Sequence, residues 1–125
     1  MTKILLVEDH EELWDSLSRR LRRRNFDVVL AHDGQQAIDQ ITAESPDIVL
    51  LDMNLPVMDG WTVAQTLRAQ RNRIPIIALT AHAMAADRQR ALEAGCDAFH
   101  AKPVVFDELL RQIDEMLLRA EEAEA

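Results

Sequence analysis

Five side chains in this sequence carry the groups needed to hold a cation and move a phosphoryl group, and each stands at the end of an apolar run. Glu8 and Asp9 follow Ile4 to Val7, Asp52 follows Ile48 to Leu51, and Thr80 follows Ile76 to Leu79. Lys102, ahead of Pro103, follows the shorter run Ala98 to Ala101. Gathered in one pocket, the three carboxylates and one ammonium would leave a formal charge of minus two. Like charges a few ångströms apart raise each other's pKa or call for a cation. An all-oxygen set with few protein ligands suits Mg2+, which keeps several waters and accepts a phosphate oxygen. With that ion present, Asp52 is an ionised nucleophile beside a Lewis acid, an ammonium and a hydroxyl, a set suited to in-line attack on a phosphoryl group. The product would be an aspartyl phosphate.

The chain must then supply elements that bring these residues together. The three apolar runs at Ile4, Ile48 and Ile76 have the composition of central strands buried on both faces. Phe26, Val28 and Leu30 alternate with other residues, and Ala98 to Ala101 contains His100, so these two segments predict edge strands. Between the strands lie stripes of helical period: Leu13, Leu17 and Leu21; Ala37 and Ile41; Val63 and Leu67. Met84, Arg88, Ala91 and Leu92 lead to a stop at Gly95, and Val105, Leu109, Ile113, Met116 and Leu117 form the last stripe. Strict β-α alternation, five times over, predicts an α/β fold: a doubly wound, five-stranded parallel sheet with five helices and right-handed crossovers. With the second and fifth strands at the edges, the order is 2-1-3-4-5, the flavodoxin-like arrangement. All strands then end at one edge of the sheet, where such folds place their sites.

Composition sets the outer limits. The chain has 125 residues and a net charge of -8, which argues against nonspecific nucleic-acid binding. Arg19, Arg20, Arg22, Arg23 and Arg24 form a local basic cluster that reads as a solvated helix end. One domain is expected over residues 1–120, with 121–125 as a frayed acidic tail. Cys96 is the sole cysteine, so no disulfide forms within the chain, as in reduced cytoplasmic proteins. The short apolar stretch before Glu8 is too brief for a signal peptide or a membrane span. The three glycines, Gly34, Gly60 and Gly95, match neither a dinucleotide fingerprint nor a phosphate-binding Walker loop.

At these residues the chain resembles the receiver domain of bacterial two-component response regulators, the CheY-like family. The resemblance runs from Lys3 to about Leu118 and rests on VEDH at Val7 to His10, LLDMNLPVMDG at Leu50 to Gly60, ALTAHA at Ala78 to Ala83 and GCDAFHAKP at Gly95 to Pro103. It implies that Asp52 is the phosphoacceptor and that Asp9, Glu8, Asp52 and the backbone carbonyl of Asn54 hold Mg2+. It implies that Lys102 pairs with the phosphoryl oxygens, that Thr80 donates its hydroxyl and moves on activation, and that small Ala81 leaves room for the donor. Phe99 takes the place of the family's switch aromatic, commonly tyrosine, so a switch here would work by packing alone. The Lys102 to Pro103 bond is cis in the family, and Asn54 and His82 stand where members tune the lifetime of the acyl phosphate.

Plainer readings stand beside these. Asp9 and Asp59 each suit a helix N-cap, and for Asp59 that reading is adopted. His10, His32, His82 and His100 lack metal-ligand spacing and are expected at the surface or the site rim, with His10 and His82 able to gate Asp52. Trp14, at the margin of the first helical stripe, is either core edge or part of a docking patch, and Cys96 is a small packing residue.

The expected function is a cytoplasmic phosphorylation switch in a phosphorelay, not an enzyme in its own right, receiving its phosphoryl group from a sensor histidine kinase or a histidine phosphotransfer domain. Its output would be a protein target bound through the fourth helix, fifth strand and fifth helix. No membrane or nucleic-acid partner is expected, and the chain would be a monomer that could dimerise when phosphorylated. With about 118 residues used by the fold, no output domain is expected, as in a stand-alone relay or a receiver taken from a larger protein. One alternative is a pseudo-receiver that binds partners without turning over phosphate. A dehalogenase-type phosphatase would need a second acid where Asn54 stands, and a flavodoxin would need a Ser/Thr-rich loop where Glu8 and Asp9 stand.

Overall fold

The structure, a computed structural model, describes residues 1–81 and 84–124. Strands β1 (Lys3–Val7), β2 (Asp27–Ala31), β3 (Ile48–Asp52), β4 (Ile76–Thr80) and β5 (Ala98–Ala101) alternate with helices α1 (Glu11–Arg23), α2 (Gly34–Glu44), α3 (Gly60–Ala69), α4 (Ala85–Ala94) and α5 (Phe106–Glu124). All strand pairs are parallel, in the order β2-β1-β3-β4-β5. This is the CheY-like, flavodoxin-like arrangement expected from the sequence.

The period of two along each central strand divides the core into two layers. Leu5, Val7, Val49, Leu51, Ile76 and Ala78 face α2, α3 and α4, where Ala37, Ile41, Val63, Leu67 and Ala91 cover them. Ile4, Leu6, Ile48, Leu50, Ile77 and Leu79 face α1 and α5, against Leu17, Leu21, Leu109, Ile113 and Met116. Each central strand is thus apolar on both faces, which accounts for its unbroken run. Trp14 resolves to the core margin: it is half-buried against the α1/α5 layer, and its ring meets that of His32 at 4.9 Å.

Helix ends follow local chemistry. Asp59 caps α3 by accepting from the Thr62 N–H at 2.8 Å, and Asp33 caps α2 through the Gln36 N–H at 2.8 Å. Helix α1 begins with Glu11 and Glu12 and ends with Arg20, Arg22 and Arg23, both in the sense the helix dipole favours. Gly95 ends α4 in the left-handed region at φ 113, as the sequence predicted. Below it, Arg68 donates to the carbonyls of Gly95, Asn72 and Ile74 at 2.8 to 2.9 Å and pairs with Asp97 at 2.9 Å. One guanidinium thus ties together the ends of α3 and α4 and the start of β4.

Three expectations need correction. Phe26 lies just ahead of β2 and packs on the α1/α5 layer, so the edge strand starts at Asp27. Residues 121–124, expected to fray, continue α5, because Ala and Glu are strong helix formers and the helix is already nucleated on the core. His100 is buried and not at the surface. Among the described residues no helix is long and apolar enough to cross a membrane.

Candidate functional site

The strand ends assemble the site. Register places Val7 beside Leu51 and Asp52 beside Leu79, so the chain leaving β1 runs next to the end of β3. The Glu8 N–H donates to Ala31 O at 3.0 Å, which fixes the first turn after β1. Asp52 and Thr80 are the last residues of their strands, which run one residue beyond the apolar runs, and both are buried. The Lys102 N–H donates to Thr80 O at 2.8 Å, setting the start of the ammonium's reach beside the hydroxyl residue.

The side chains then meet. Lys102 Nζ lies 2.9 Å from Glu8 Oε1 and 3.5 Å from Asp52 Oδ1. Asp52 Oδ1 also accepts the Asn54 N–H at 3.1 Å. Glu8, Asp9, His10 and Asp52 each offer one ligand atom, and all four atoms lie within 4.8 Å of one another. Glu8 is fully buried, and among the described residues its Oε2 has no hydrogen-bond partner. Burial first, and then the adjoining Asp52 carboxylate, push the Glu8 carboxyl up from 4.5 to about 8, against the opposing pull of Lys102. A buried carboxylate oxygen with no donor is costly, and a bound cation removes that cost. The donor set therefore fits a divalent ion.

The structure thus brings Glu8, Asp9, Asp52 and Lys102 together, with Thr80 at the neighbouring strand end and Asn54 bonded to Asp52 through its backbone N–H. Ala81 is exposed beside Thr80, and the Lys102 to Pro103 peptide is cis. His82 lies outside the described residues. Phe99 is buried in the α2/α3/α4 layer, with the Arg88 guanidinium 5.5 Å from its ring centre.

The surroundings of two histidines were not legible in the sequence. His10, expected at the surface or the site rim but not as a metal ligand, is exposed, and its Nδ1 lies 3.3 Å from Asp9 Oδ1 and joins the acidic cluster. Its partners are carboxylates on two strand ends, a relationship no His-to-His count reveals. His100 is expected at the surface or the site rim for want of metal-ligand spacing. It is buried because every polar atom of its ring is matched: Nε2 accepts the Val105 N–H at 3.1 Å, and Nδ1 pairs with Gln112 Oε1 at 2.7 Å. Since Nε2 accepts, the ring proton sits on Nδ1, and the Gln112 amide turns to donate to Phe99 O at 3.0 Å. Cys96, by contrast, is the packing residue expected: burial pushes its thiol up to about 12.

A doubly wound parallel sheet with an acidic, cation-ready pocket at the carboxyl ends of β1 and β3, and a lysine from beyond β5 reaching into it, defines a CheY-like domain. The chain belongs to the response regulator receiver domain family, whose model matches residues 4–114. It is similar to the transcriptional regulatory protein PrrA of Mycobacterium tuberculosis, at 39% identity over 117 residues, 94% of this chain and 50% of that protein. It is also similar to the response regulator MprA of the same organism, at 37% over 123 residues, 98% of this chain and 54% of that one. The chain therefore spans about half the length of these curated relatives. Among solved structures, it matches the receiver domain of the sensor histidine kinase PA1611 from Pseudomonas aeruginosa, which has a magnesium ion coordinated in its active site cleft. That match has a TM-score of 0.85 at 39% identity, covering 93% of this chain and 97% of the other. A CheY-like receiver domain from Methanospirillum hungatei matches at TM-score 0.91 and 28% identity, covering 98% of each chain.

Proposed function

We propose that this receiver domain is a phosphoacceptor switch in which Asp52 takes a phosphoryl group from the phosphohistidine of a sensor kinase or a histidine phosphotransfer domain. The observation that carries this reading is the setting of Asp52: a buried carboxylate with the Lys102 ammonium at 3.5 Å, in a cluster with Glu8, whose Oε2 has no hydrogen-bond partner among the described residues. An Asp52 oxygen attacks phosphorus in line as the bond from phosphorus to the histidine nitrogen breaks, and the electron pair of that bond leaves on the imidazole. Lys102, on an ammonium held within reach of Asp52, pairs with a phosphoryl oxygen. Thr80 offers its hydroxyl from the adjacent strand end, and the Asn54 N–H keeps the Asp52 carboxylate oriented at 3.1 Å.

Mg2+ would be held by Glu8, Asp9, Asp52 and the Asn54 carbonyl, and when bound it supplies charge neutralisation between these carboxylates and the incoming phosphate. The domain assists its own phosphorylation and dephosphorylation and is not an enzyme acting on a separate substrate. Output would pass through α4, β5 and α5, where Met84, Leu92, Val105 and Leu118 supply exposed apolar contacts for a protein target. A net charge of -8 supports a protein, not a nucleic acid, as the partner of these residues.

The test is intact-mass measurement after exposure to a small acyl phosphate, with and without Mg2+, followed by mapping of the adduct. A single phosphoryl adduct on Asp52 that requires Mg2+ and is absent from Asp52→Asn is the expected result. No adduct on a folded chain would instead support a pseudo-receiver that binds without turning over phosphate.

A further inference from the structure

Among the described residues, the His10 imidazole is the nitrogen donor that stands with the acidic cluster, and nitrogen and oxygen donors select metals differently. Its Nδ1 stands 3.3 Å from Asp9 Oδ1, within the group whose ligand atoms on Glu8, Asp9, His10 and Asp52 lie no more than 4.8 Å apart. His10 is the N-cap residue of α1 but makes no side-chain capping bond, so helix formation does not explain the direction of its ring. The buried, partnerless Glu8 Oε2 points independently to a cation at the same place.

Three carboxylates and one imidazole form an O3N set. Mg2+ is a hard ion that prefers oxygen, insists on near-octahedral geometry and retains waters, so it gains little from a nitrogen. Zn2+ is borderline-soft, binds imidazole and carboxylate alike at about 2.0 to 2.2 Å, and is satisfied by four tetrahedral ligands. The first-row series rises toward copper and zinc for N/O sites of this kind.

We propose that His10 makes this pocket a dual metal site, in which Zn2+ competes with Mg2+ by recruiting His10 alongside Glu8, Asp9 and Asp52. Held by Glu8, Asp9, His10 and Asp52, zinc would have the four ligands it commonly takes and would offer a phosphoryl oxygen less than Mg2+, which keeps water-filled positions. The zinc-loaded domain would therefore be phosphorylated more slowly than the magnesium-loaded one. The metal site stands on its own geometry, while this regulatory consequence rests on the proposed role of Asp52.

The test uses the full chain and the metals alone, in a phosphate-free buffer. Zn2+ and Mg2+ affinities are measured by calorimetry for the native chain, His10→Ala and His10→Asn. Loss of the imidazole is expected to weaken Zn2+ by about tenfold or more, and to weaken Mg2+ much less, so that the ratio of the two affinities falls. With Cu2+ as a spectroscopic probe, pulsed electron paramagnetic resonance of the native chain should show imidazole nitrogen coupling that disappears in both variants. His10 is exposed, so both variants should keep the metal-free melting temperature, and whichever of the two does so carries the comparison. An unchanged zinc-to-magnesium ratio, or nitrogen coupling that survives removal of His10, overturns the proposal. Labelling of the native chain by acyl phosphate with Mg2+ alone judges the phosphoacceptor reading separately. If that labelling succeeds but excess Zn2+ fails to suppress it, the regulatory consequence falls.

Discussion

Lys102 holds Glu8 at 2.9 Å and stands farther, at 3.5 Å, from Asp52. The ammonium from beyond the last strand is therefore anchored on an acid 94 positions earlier in the chain.

Glu8 makes the stability of the metal-free protein depend on pH. Its carboxyl lies at about 8 in the fold against 4.5 when free, mainly through burial and then through Asp52. Between those values the folded state holds a proton that the unfolded chain has released. The contribution is thus complete below 4.5 and is lost as pH rises through about 8. The melting temperature without metal should fall across that window more steeply for the native chain than for Glu8→Gln. Saturating Mg2+ should flatten the native curve, because a cation favours the ionised acid and binds only the folded state. Equal slopes for the two proteins would mean that Glu8 is not the titrating group.

Asp59 is an acid near the site with a structural task, and it should behave differently from Asp52. Asp59→Ala loses the cap on the Thr62 N–H, and denaturant unfolding should report a loss of about 1 kcal/mol. Acyl-phosphate labelling of Asp52 should persist in this variant, whereas Asp52→Asn loses the label and keeps the fold.

Gly60 sets the approach of α3 to the strand that carries Asp52. A Cβ at this position would stand 2.6 Å from both Asp52 O and Met53 Cα, which are backbone atoms that cannot turn aside. Gly60→Ala should therefore push the helix outward at a cost of about 1 to 3 kcal/mol, read as a lower denaturation midpoint. Its effect on labelling should be slower phosphorylation, since the end of β3 moves with the contact.

Gln112 completes the hydrogen-bonding of His100. Gln112→Ala leaves the His100 Nδ1–H and the Phe99 carbonyl without their partners, and the expected loss is about 1 to 3 kcal/mol. A double-mutant cycle with His100→Leu should show that the two losses are not additive, with a coupling of about 0.5 kcal/mol or more. Additive losses would mean that the pair acts as two unrelated contacts.

Much of this protein was legible in its residue order, because the signals were periodic and local. Unbroken apolar runs at Ile4, Ile48 and Ile76 specify strands covered on both faces, and β-α alternation with two weaker strands leaves few ways to order a parallel sheet. That order alone sends Glu8, Asp52, Thr80 and Lys102 to one edge, so most of the candidate site followed from topology. Asp59 and Gly95 were legible for the same reason: an N-cap and a left-handed stop act within a few residues of themselves.

What required the tertiary structure was pairing between residues far apart in the chain. Burial of His100 depends on Gln112, a residue on the next helix whose amide happens to meet the ring. The hub at Arg68 depends on carbonyls at the end of α4 and in the turn before β4, and the place of His10 beside the acidic cluster depends on where β3 delivers Asp52. Polar contacts are short-ranged and directional, so a side chain's type and spacing say that it needs a partner without saying which one. The sequence determined the scaffold and the ends of its strands, and the folded chain decided which polar atoms meet there.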